Sequence, residues 1–225
     1  MIKKLFLLLF LSCVLTPIYA LEQHEKLWLA TNYQTSFGQD KQWLGLVFTQ
    51  LRLINESHPV QTGLIEGGIG YRLALGKSIW AGYRWSGHNP YNNFYQENRL
   101  FQQLLLPMRS RIDRSILRSR LEEIGRGNQS QISLRLRERL ALEFETGLIN
   151  NSHPFVYDEI FFQLNKTNYT TNRLISENRL FLGINLFINK LDWWEIGYIN
   201  QYTMSASASA QNKMNHIISL TYNYF

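Results

Sequence analysis

The strongest constraint on the fold is an alternation of apolar and polar residues with a period of two, which recurs along almost the whole chain. In residues 130–144, SQISLRLRERLALEF, the leucines share one face, whereas Arg135, Arg137 and Arg139 share the other. Only Glu138 interrupts the apolar face. A period of two is typical of a β-strand whose faces meet different environments. Strands are predicted near residues 28–37, 43–54, 62–75, 78–86, 95–106, 109–124, 130–145, 155–165, 175–188, 190–202 and 214–225.

The residue types on the polar faces distinguish two all-β architectures, a soluble β-sandwich and a transmembrane β-barrel. A secreted β-sandwich would also alternate, but its polar face would meet water, where Lys, Asp and Thr serve well. Here Arg, Glu, Gln and Gly dominate the polar faces, and the apolar faces carry almost no charge. Opposed Arg and Glu fit a narrow interior in which charges must neutralise one another. We therefore favour a transmembrane antiparallel up-and-down β-barrel over the sandwich.

The N-terminus predicts export. Residues 1–20, MIKKLFLLLFLSCVLTPIYA, have the basic start, apolar run and terminal alanine of a cleaved Sec-type signal peptide. The apolar run is about 11 residues long, shorter than the roughly 18 to 20 that a spanning helix needs. Cys13, the only cysteine, falls inside this peptide, so cleavage would remove it. A lipoprotein cleaved before Cys13 is the less favoured alternative, because Leu11 stands where a small residue is needed.

The remaining chain has the length of one domain, and we assign residues 21–225 to the barrel. Only 18% of the residues are charged, whereas 14% are aromatic. A secreted chain with so few charges is poorly suited to a surface that faces water. A barrel whose outer surface faces lipid needs few charges there.

One segment also fits a helix. In residues 109–127, RSRIDRSILRSRLEEIGRG, an apolar stripe has helical spacing, and Arg-rich amphipathic helices can bind nucleic acid. As a strand, the segment places Arg118, Arg120 and Glu122 on one face, like its neighbours. We favour the strand and expect no nucleic-acid partner.

The connections agree with a barrel. LGKS and INKLD are short, whereas SGHNPYNNFYQ, NKTNYTTNR and MSASASAQNKMN are long and polar. Tight periplasmic turns and larger outer loops alternate in this way in outer-membrane barrels. The chain ends in ISLTYNYF, an aromatic-rich final strand.

The order of several short motifs resembles a known family. ENRLFQQLLL, SRLEE, LRLRERLAL, YDEIFFQLN, ENRLFLGINL and WEIGYINQY occur in this order. The chain resembles the bacterial outer-membrane proteins grouped as domain of unknown function 2490. The resemblance implies one outer-membrane β-barrel in a Gram-negative bacterium and no particular activity. If both termini lie in the periplasm, the strand number must be even, so we expect 10 or 12 strands rather than the eleven segments counted.

The polar faces supply the candidate functional residues, ten arginines and seven glutamates that we expect to line the lumen as a pore or as a plug. They are Arg52, Glu66, Arg72, Arg84, Glu97, Arg99, Arg118, Arg120, Glu122, Arg135, Arg137, Arg139, Glu143, Glu159, Glu177, Arg179 and Glu195. Rings of arginine select anions in pores. A narrow anion-preferring channel for small solutes is one hypothesis, and a non-conducting structural or surface-recognition barrel is the alternative. The expected partners are outer-membrane lipids, lipopolysaccharide, the barrel-assembly machinery and small anionic solutes.

An outer-membrane lipid hydrolase is the less favoured third hypothesis. Histidine is the limiting residue for such chemistry, and His88, in SGHNPYNN, is the one candidate expected at the outer surface. The chain offers no His-x-Ser spacing on a strand. It also lacks a His-x-x-x-His pair or a comparable ligand cluster, so we predict no catalytic residues, no metal site and no cofactor.

Two stretches are nearly alike, LINESHPV at residues 53–60 and LINNSHPF at residues 148–155. Their strand order predicts that they lie at opposite ends of the barrel, too far apart to act as one site. We interpret both as turns, in which Asn and Ser bond the local backbone and Pro ends the pairing.

Overall fold

A computed structural model describes residues 22–54, 59–89, 93–109, 113–127, 129–145, 151–205 and 211–225. The predicted signal peptide lies outside the described residues. Among the described residues, no helix is both long and apolar enough to cross a membrane.

Eleven strands make up nearly all of the described chain. Their bounds are β1 Glu22–Phe37, β2 Trp43–Ile54, β3 Val60–Arg72, β4 Ser78–His88, β5 Tyr95–Arg109, β6 Asp113–Arg126, β7 Ile132–Phe144, β8 Ser152–Gln163, β9 Ile175–Phe187, β10 Asp192–Thr203 and β11 Lys213–Tyr224. Each alternating segment of the sequence corresponds to one strand, which confirms the all-β prediction. The segment with a possible helical stripe forms β6, because its alternation matches that of β5 and β7 on either side.

The strands close into a single up-and-down barrel. Each strand pairs antiparallel with the next along the chain, and β1 closes the barrel by pairing in parallel with β11. The expected count of 10 or 12 strands was therefore wrong. An even number is required only where the first and last strands run in opposite directions. Here Leu29 of β1 lies in register with Leu220 of β11, and both strands run the same way, so eleven strands close the ring.

The connections divide between two ends of the barrel. The long-connection end holds residues 55–59, 89–94, 127–131, 164–174 and 204–212, and it is also where β1 begins. The short-connection end holds residues 38–42, 73–77, 110–112, 145–151 and 188–191, and it is where β11 ends. The connections predicted as short, LGKS and INKLD, thus lie at one end and the three predicted as long at the other, although residues 145–151 make a seven-residue connection at the short-connection end.

The two similar stretches also lie at opposite ends, as predicted. The first joins β2 to β3, and the second joins β7 to β8. Residues 55–58 and 146–150 lie outside the described residues, so the proposed turn geometry is not described there. Ser152 and Pro154 already belong to β8, where Pro154 lies in register with Ile184. The second Pro therefore falls inside a strand rather than at its end.

The outward face is largely apolar, and most strands expose large hydrophobic side chains there. Residues such as Ile69, Leu100, Leu182 and Ile218 are each more than half exposed. Glu138, the one charge that interrupts the alternation in β7, points outward and accepts a hydrogen bond from Ser119 Oγ at 2.6 Å. The outward surface therefore resembles the inside of a soluble protein more than its surface.

The inward face contains a packed centre. Phe101, Phe161 and Phe181 are almost completely buried there. Inward glycines provide the room for such rings: a Cβ on Gly70 would overlap the ring of Trp80, and a Cβ on Gly82 would overlap the ring of Phe101. Aromatic rings therefore pack against the backbone of neighbouring strands inside the barrel, where a barrel of this size has room mainly for side chains.

Candidate functional site

The candidate site is the charged interior of the barrel. All seventeen predicted lumen residues lie on strands, at the alternating positions that point inward. Twelve of them are joined into one set of ion pairs, which we call the interior network. Its members are Glu66, Arg84, Glu97, Arg99, Arg118, Arg120, Glu122, Arg135, Arg137, Glu159, Glu177 and Arg179.

Glu122 of β6 is the centre of the network and has 0% of its surface exposed. Its Oε2 accepts hydrogen bonds from Arg135 Nη2 at 2.6 Å and Nε at 3.0 Å. Its Oε1 accepts one from Arg137 Nη1 at 2.7 Å. Arg120 Nε lies 3.2 Å from the carboxylate, and Arg99 Nη1 lies 3.5 Å from it. Four guanidinium groups therefore surround one buried carboxylate.

Glu66 of β3 forms a second centre. It accepts hydrogen bonds from Arg84 Nε at 2.7 Å and from Arg120 Nη2 at 2.6 Å. Arg84 is on the neighbouring strand β4, but Arg120 is on β6, which does not pair with β3. The bond between Arg120 and Glu66 must therefore cross the interior of the barrel.

Glu159 of β8 forms a third centre. Arg137 donates to it with Nε at 3.0 Å and Nη2 at 2.8 Å. Arg118 of β6 also pairs with it, although β6 and β8 are separated by β7. Arg179 lies 4.0 Å away and connects this centre to Glu177, with 2.5 Å between Arg179 Nε and Glu177 Oε1. Contacts between strands that do not pair thus occur at two places in the network.

Aromatic rings support the guanidinium groups. Arg120 lies over the ring of Phe101 at 3.7 Å, and both Arg137 and Arg179 lie over the ring of Phe161, at 4.7 and 4.6 Å. A guanidinium group gains cation–π attraction in this arrangement and keeps its edges free for carboxylates. The buried rings and the ion pairs therefore form one packed layer.

Five of the predicted residues stay outside the network. Arg72 is exposed at the end of β3. Arg139 lies over the ring of Tyr157 at 5.1 Å and has no carboxylate partner among the described residues. Glu143 pairs with His153 Nδ1 at 2.6 Å. Arg52 and Glu195 also make no ion pair within the described chain. The sequence alternation placed these five inward without indicating their partners.

Sequence reasoning missed the amides that extend the network. Gln201 Nε2 donates to Glu177 Oε1 at 2.6 Å, and Asn215 Nδ2 donates to Gln201 Oε1 at 3.1 Å. Both amides share the inward phase of β10 and β11, so the alternation could have identified them if uncharged polar residues had been counted.

Two of the histidines, His88 and His153, lie at inward positions of strands beside polar partners. His88, expected in an outer loop, is the last residue of β4, because the inward alternation of that strand continues through it. Its Nδ1 lies 3.1 Å from Thr62 Oγ1, and its Nε2 lies 4.0 Å from Glu97 Oε1, which Arg99 already holds. His153 belongs to β8 and pairs with Glu143, and His58 lies outside the described residues.

No group of three or more potential metal ligands occurs among the described residues. The interior is instead organised around guanidinium and carboxylate groups that satisfy one another. This arrangement can hold the two sides of the barrel together, and it can attract anions where a guanidinium is left over.

Comparison with known proteins adds the family. Residues 25–212 match the family described as "Protein of unknown function (DUF2490)". The chain belongs to this family. It is also 24% identical over 201 residues to an uncharacterized protein of Methylorubrum extorquens, and the match covers 88% of this chain and 86% of that protein. No solved structure matches the chain. The family match agrees with the resemblance that the motif order gave, and the family description names no activity.

Proposed function

We propose that the chain is an integral outer-membrane β-barrel whose interior network keeps the bore closed, so that it acts as a non-conducting structural or surface-recognition barrel. The observation that carries this proposal is the contact from Arg120 of β6 to Glu66 of β3, which joins strands separated by β4 and β5. In a barrel closed in this way, ions pass only when buried pairs of this kind separate. Breaking a buried ion pair leaves a charge uncompensated, which is costly.

The outward face supports the membrane part of the proposal. It is largely apolar, with large hydrophobic side chains exposed on most of the strands, and water would not tolerate an apolar surface of this extent on a monomer. In the proposed setting, outer-membrane lipids and lipopolysaccharide cover this face. The predicted signal peptide would direct export, and the barrel-assembly machinery would insert the chain.

Cell fractionation tests the location. The protein is expected in outer-membrane fractions and should migrate faster on detergent gels unheated than boiled, because a closed barrel resists detergent until it is heated. Recovery as a soluble periplasmic protein would contradict the proposal.

Substitutions at two depths test lipid contact on the outward face. Leu182 is near the middle of β9, and Ile132 is the first residue of β7; both are more than half exposed. We expect Leu182→Arg to lower the free energy of unfolding in lipid vesicles by about 2 to 4 kcal/mol, and Ile132→Arg by about 1 kcal/mol or less, because the cost of a cation depends on its depth. Urea titration in vesicles measures both. Equal effects of the two substitutions would argue against lipid contact.

Recording in planar bilayers tests closure. Purified protein is expected to give no steady conductance above the leak of the bilayer. The competing hypothesis is a narrow channel, which the excess of arginine over glutamate in the interior network favours, with seven arginines and five glutamates. Steady anion-selective conductance by the wild type would contradict closure and favour the channel hypothesis. If Leu182→Arg still destabilises the protein in vesicles as expected, the membrane part of the proposal is retained.

A further inference from the structure

A row of inward side chains crosses the first five strands close to the long-connection end. Cross-strand neighbours in this row are Trp28 with Arg52, Arg52 with Thr62, Thr62 with His88, and His88 with Tyr95. The row lies at the ends of its strands: Arg52 is two residues from the end of β2, and Tyr95 is the first residue of β5. These side chains are therefore close to one opening of the barrel.

Arg52 differs from the arginines of the interior network. Each network arginine contacts at least one carboxylate, but Arg52 makes no ion pair with any residue whose side chain is described. Its Nε donates to Gln50 Oε1 at 2.7 Å, and its guanidinium lies over the Trp28 ring at 4.2 Å. The Nη1 and Nη2 edge has no acceptor among the described groups. An inward cation without a counter-charge is costly, so an acceptor from outside the chain would stabilise it.

Two further donors in the same place lack an acceptor. Trp28 is 4% exposed, and its Nε1 has no hydrogen-bond partner. Lys26 occupies the next inward position of β1 towards the opening and makes no ion pair among the described residues. Arg179 approaches the Trp28 ring from β9 at 5.0 Å and adds positive potential, although Glu177 pairs with it. Donors and positive charge therefore accumulate here, and no described carboxylate pairs with Arg52 or Lys26.

We propose that Lys26, Trp28 and Arg52 form an anion site that binds the carboxylate or phosphate group of a small solute. We call these three residues the mouth site. The free guanidinium edge of Arg52 suits two parallel hydrogen bonds to one oxyanion, and Lys26 adds a point charge. Glu97 and Glu177 are held by Arg99 and Arg179 and make no ion pair with Arg52.

The mouth site goes beyond the proposed function and does not depend on it. Lys26 and Arg52 lie near strand ends at this opening, so binding there does not require passage through the interior network, and the site can operate in a closed barrel. It also does not require a membrane, because binding can be measured on the folded full-length chain in a nonionic detergent.

Titration with inorganic phosphate, and separately with acetate, tests the mouth site. The readout is the NMR signal of the Trp28 indole N–H in ¹⁵N-labelled protein, assigned by its loss in Trp28→Phe. We expect a saturable shift of this signal with at least one of the two anions. No saturable shift with either anion would overturn the proposal.

Substitutions assign the binding to the residues named. Arg52→Gln is expected to weaken anion affinity about tenfold or more, because it removes a charge-assisted, bidentate contact, and Lys26→Gln is expected to weaken it by less. Arg114→Gln is the matched control, since Arg114 lies at the short-connection end in an exposed pair with Glu145. Should Arg52→Gln fail to fold, Arg52→Lys keeps the charge and removes only the planar edge. Unchanged affinity in both Arg52 variants would also overturn the proposal.

A competition arm separates two sources of phosphate. If the natural ligand is a lipid-borne phosphate, lipopolysaccharide added to the detergent sample should displace inorganic phosphate from the Trp28 signal. If the phosphate-induced shift of the Trp28 signal persists in the presence of lipopolysaccharide, a small solute is supported as the ligand. If lipopolysaccharide displaces the phosphate, the assignment of a small solute is overturned.

Discussion

Glu122 shows how single residues stabilise this barrel. Its carboxylate contacts arginines from three strands, Arg99 of β5, Arg120 of β6, and Arg135 and Arg137 of β7. None of its surface is exposed, so water cannot replace these contacts. The stability of the interior therefore depends on charge balance as well as on apolar packing.

Replacing Glu122 with Gln should destabilise the barrel strongly. The amide keeps the shape but removes the negative charge, leaving guanidinium groups uncompensated in a buried place. We expect Glu122→Gln to lower the free energy of unfolding by about 3 to 5 kcal/mol, measured by urea titration.

Glu145→Gln is the matched control for Glu122→Gln. Glu145 pairs with Arg114 where both side chains are more than two-fifths exposed, so the loss should be about 1 kcal/mol or less. If Glu122→Gln and Glu145→Gln lowered the free energy of unfolding by similar amounts, the interior network would not stabilise the barrel more than an exposed ion pair does.

The sequence predicted which charged residues point inward better than it predicted their ion-pair partners. The alternation placed Glu122, Arg120 and Arg118 on one face, and they do share the inward face of β6. It could not indicate that Arg120 reaches Glu66, because the two residues are far apart in sequence and on strands that do not pair. It also could not indicate that Arg52 is left without a carboxylate. Pairing across the interior depends on strand stagger, which a local pattern does not encode.

At the scale of the strands, close contacts between glycine and aromatic residues set the packing of the bore. Phe181 of β9 is fully buried and stacks on Tyr157 of β8, with ring centroids 4.9 Å apart. Its ring lies over Gly197 of the neighbouring strand β10: a Cβ at Gly197 would be 2.5 Å from Phe181 Cζ and 2.6 Å from the carbonyl oxygen of Leu182. Glycine is needed at position 197 because any Cβ there would overlap the Phe181 ring and the Leu182 carbonyl oxygen.

Gly197→Ala is therefore expected to lower the free energy of unfolding by about 1 to 3 kcal/mol through overpacking. Gly63→Ala is the matched control, because Gly63 is also a strand glycine but a Cβ there would meet nothing within 4 Å. We expect Gly63→Ala to be neutral or slightly stabilising. Urea midpoints compare the two, and an equal loss of stability in both would mean that the loss at Gly197 does not come from overlap with Phe181.

The strands were the most predictable part of the molecule. The predicted segments 43–54 and 78–86 correspond to β2, Trp43–Ile54, and β4, Ser78–His88. The ambiguous segment before residue 127 forms a strand because both of its neighbours are strands that need a partner. Its helical stripe is a coincidence of spacing that the surrounding sheet overrides.

At the scale of the whole molecule, the parallel pairing of β1 with β11 is the unusual feature. It lets an odd number of strands close, and it places the start of β1 and the end of β11 at opposite ends of the barrel. A ten-stranded alternative would leave β1 out and pair β11 directly with β2. The two arrangements differ in which outward residues become neighbours.

Disulfide formation distinguishes these closures. In a Cys13→Ser background, which contains no cysteine, Leu29→Cys with Leu220→Cys should form a disulfide under mild oxidation, because these residues are direct cross-strand partners. Leu51→Cys with Leu220→Cys should not, because β1 lies between them. The difference in gel mobility with and without reductant shows whether each cysteine pair has formed a disulfide. Cross-linking of the second pair instead of the first would support ten strands.

The order of amino acids dictates the local features: β-strands in eleven segments, an apolar face, and a charged face rich in Arg and Glu. These follow from a period of two, which any extended backbone converts into two faces. Closure in three dimensions settles the remainder: the parallel seam, the contacts from Arg120 to Glu66 and from Arg118 to Glu159, and the unpaired guanidinium of Arg52. These depend on which strands face one another across the bore, and strand tilt and stagger set that arrangement over distances that no local pattern reaches.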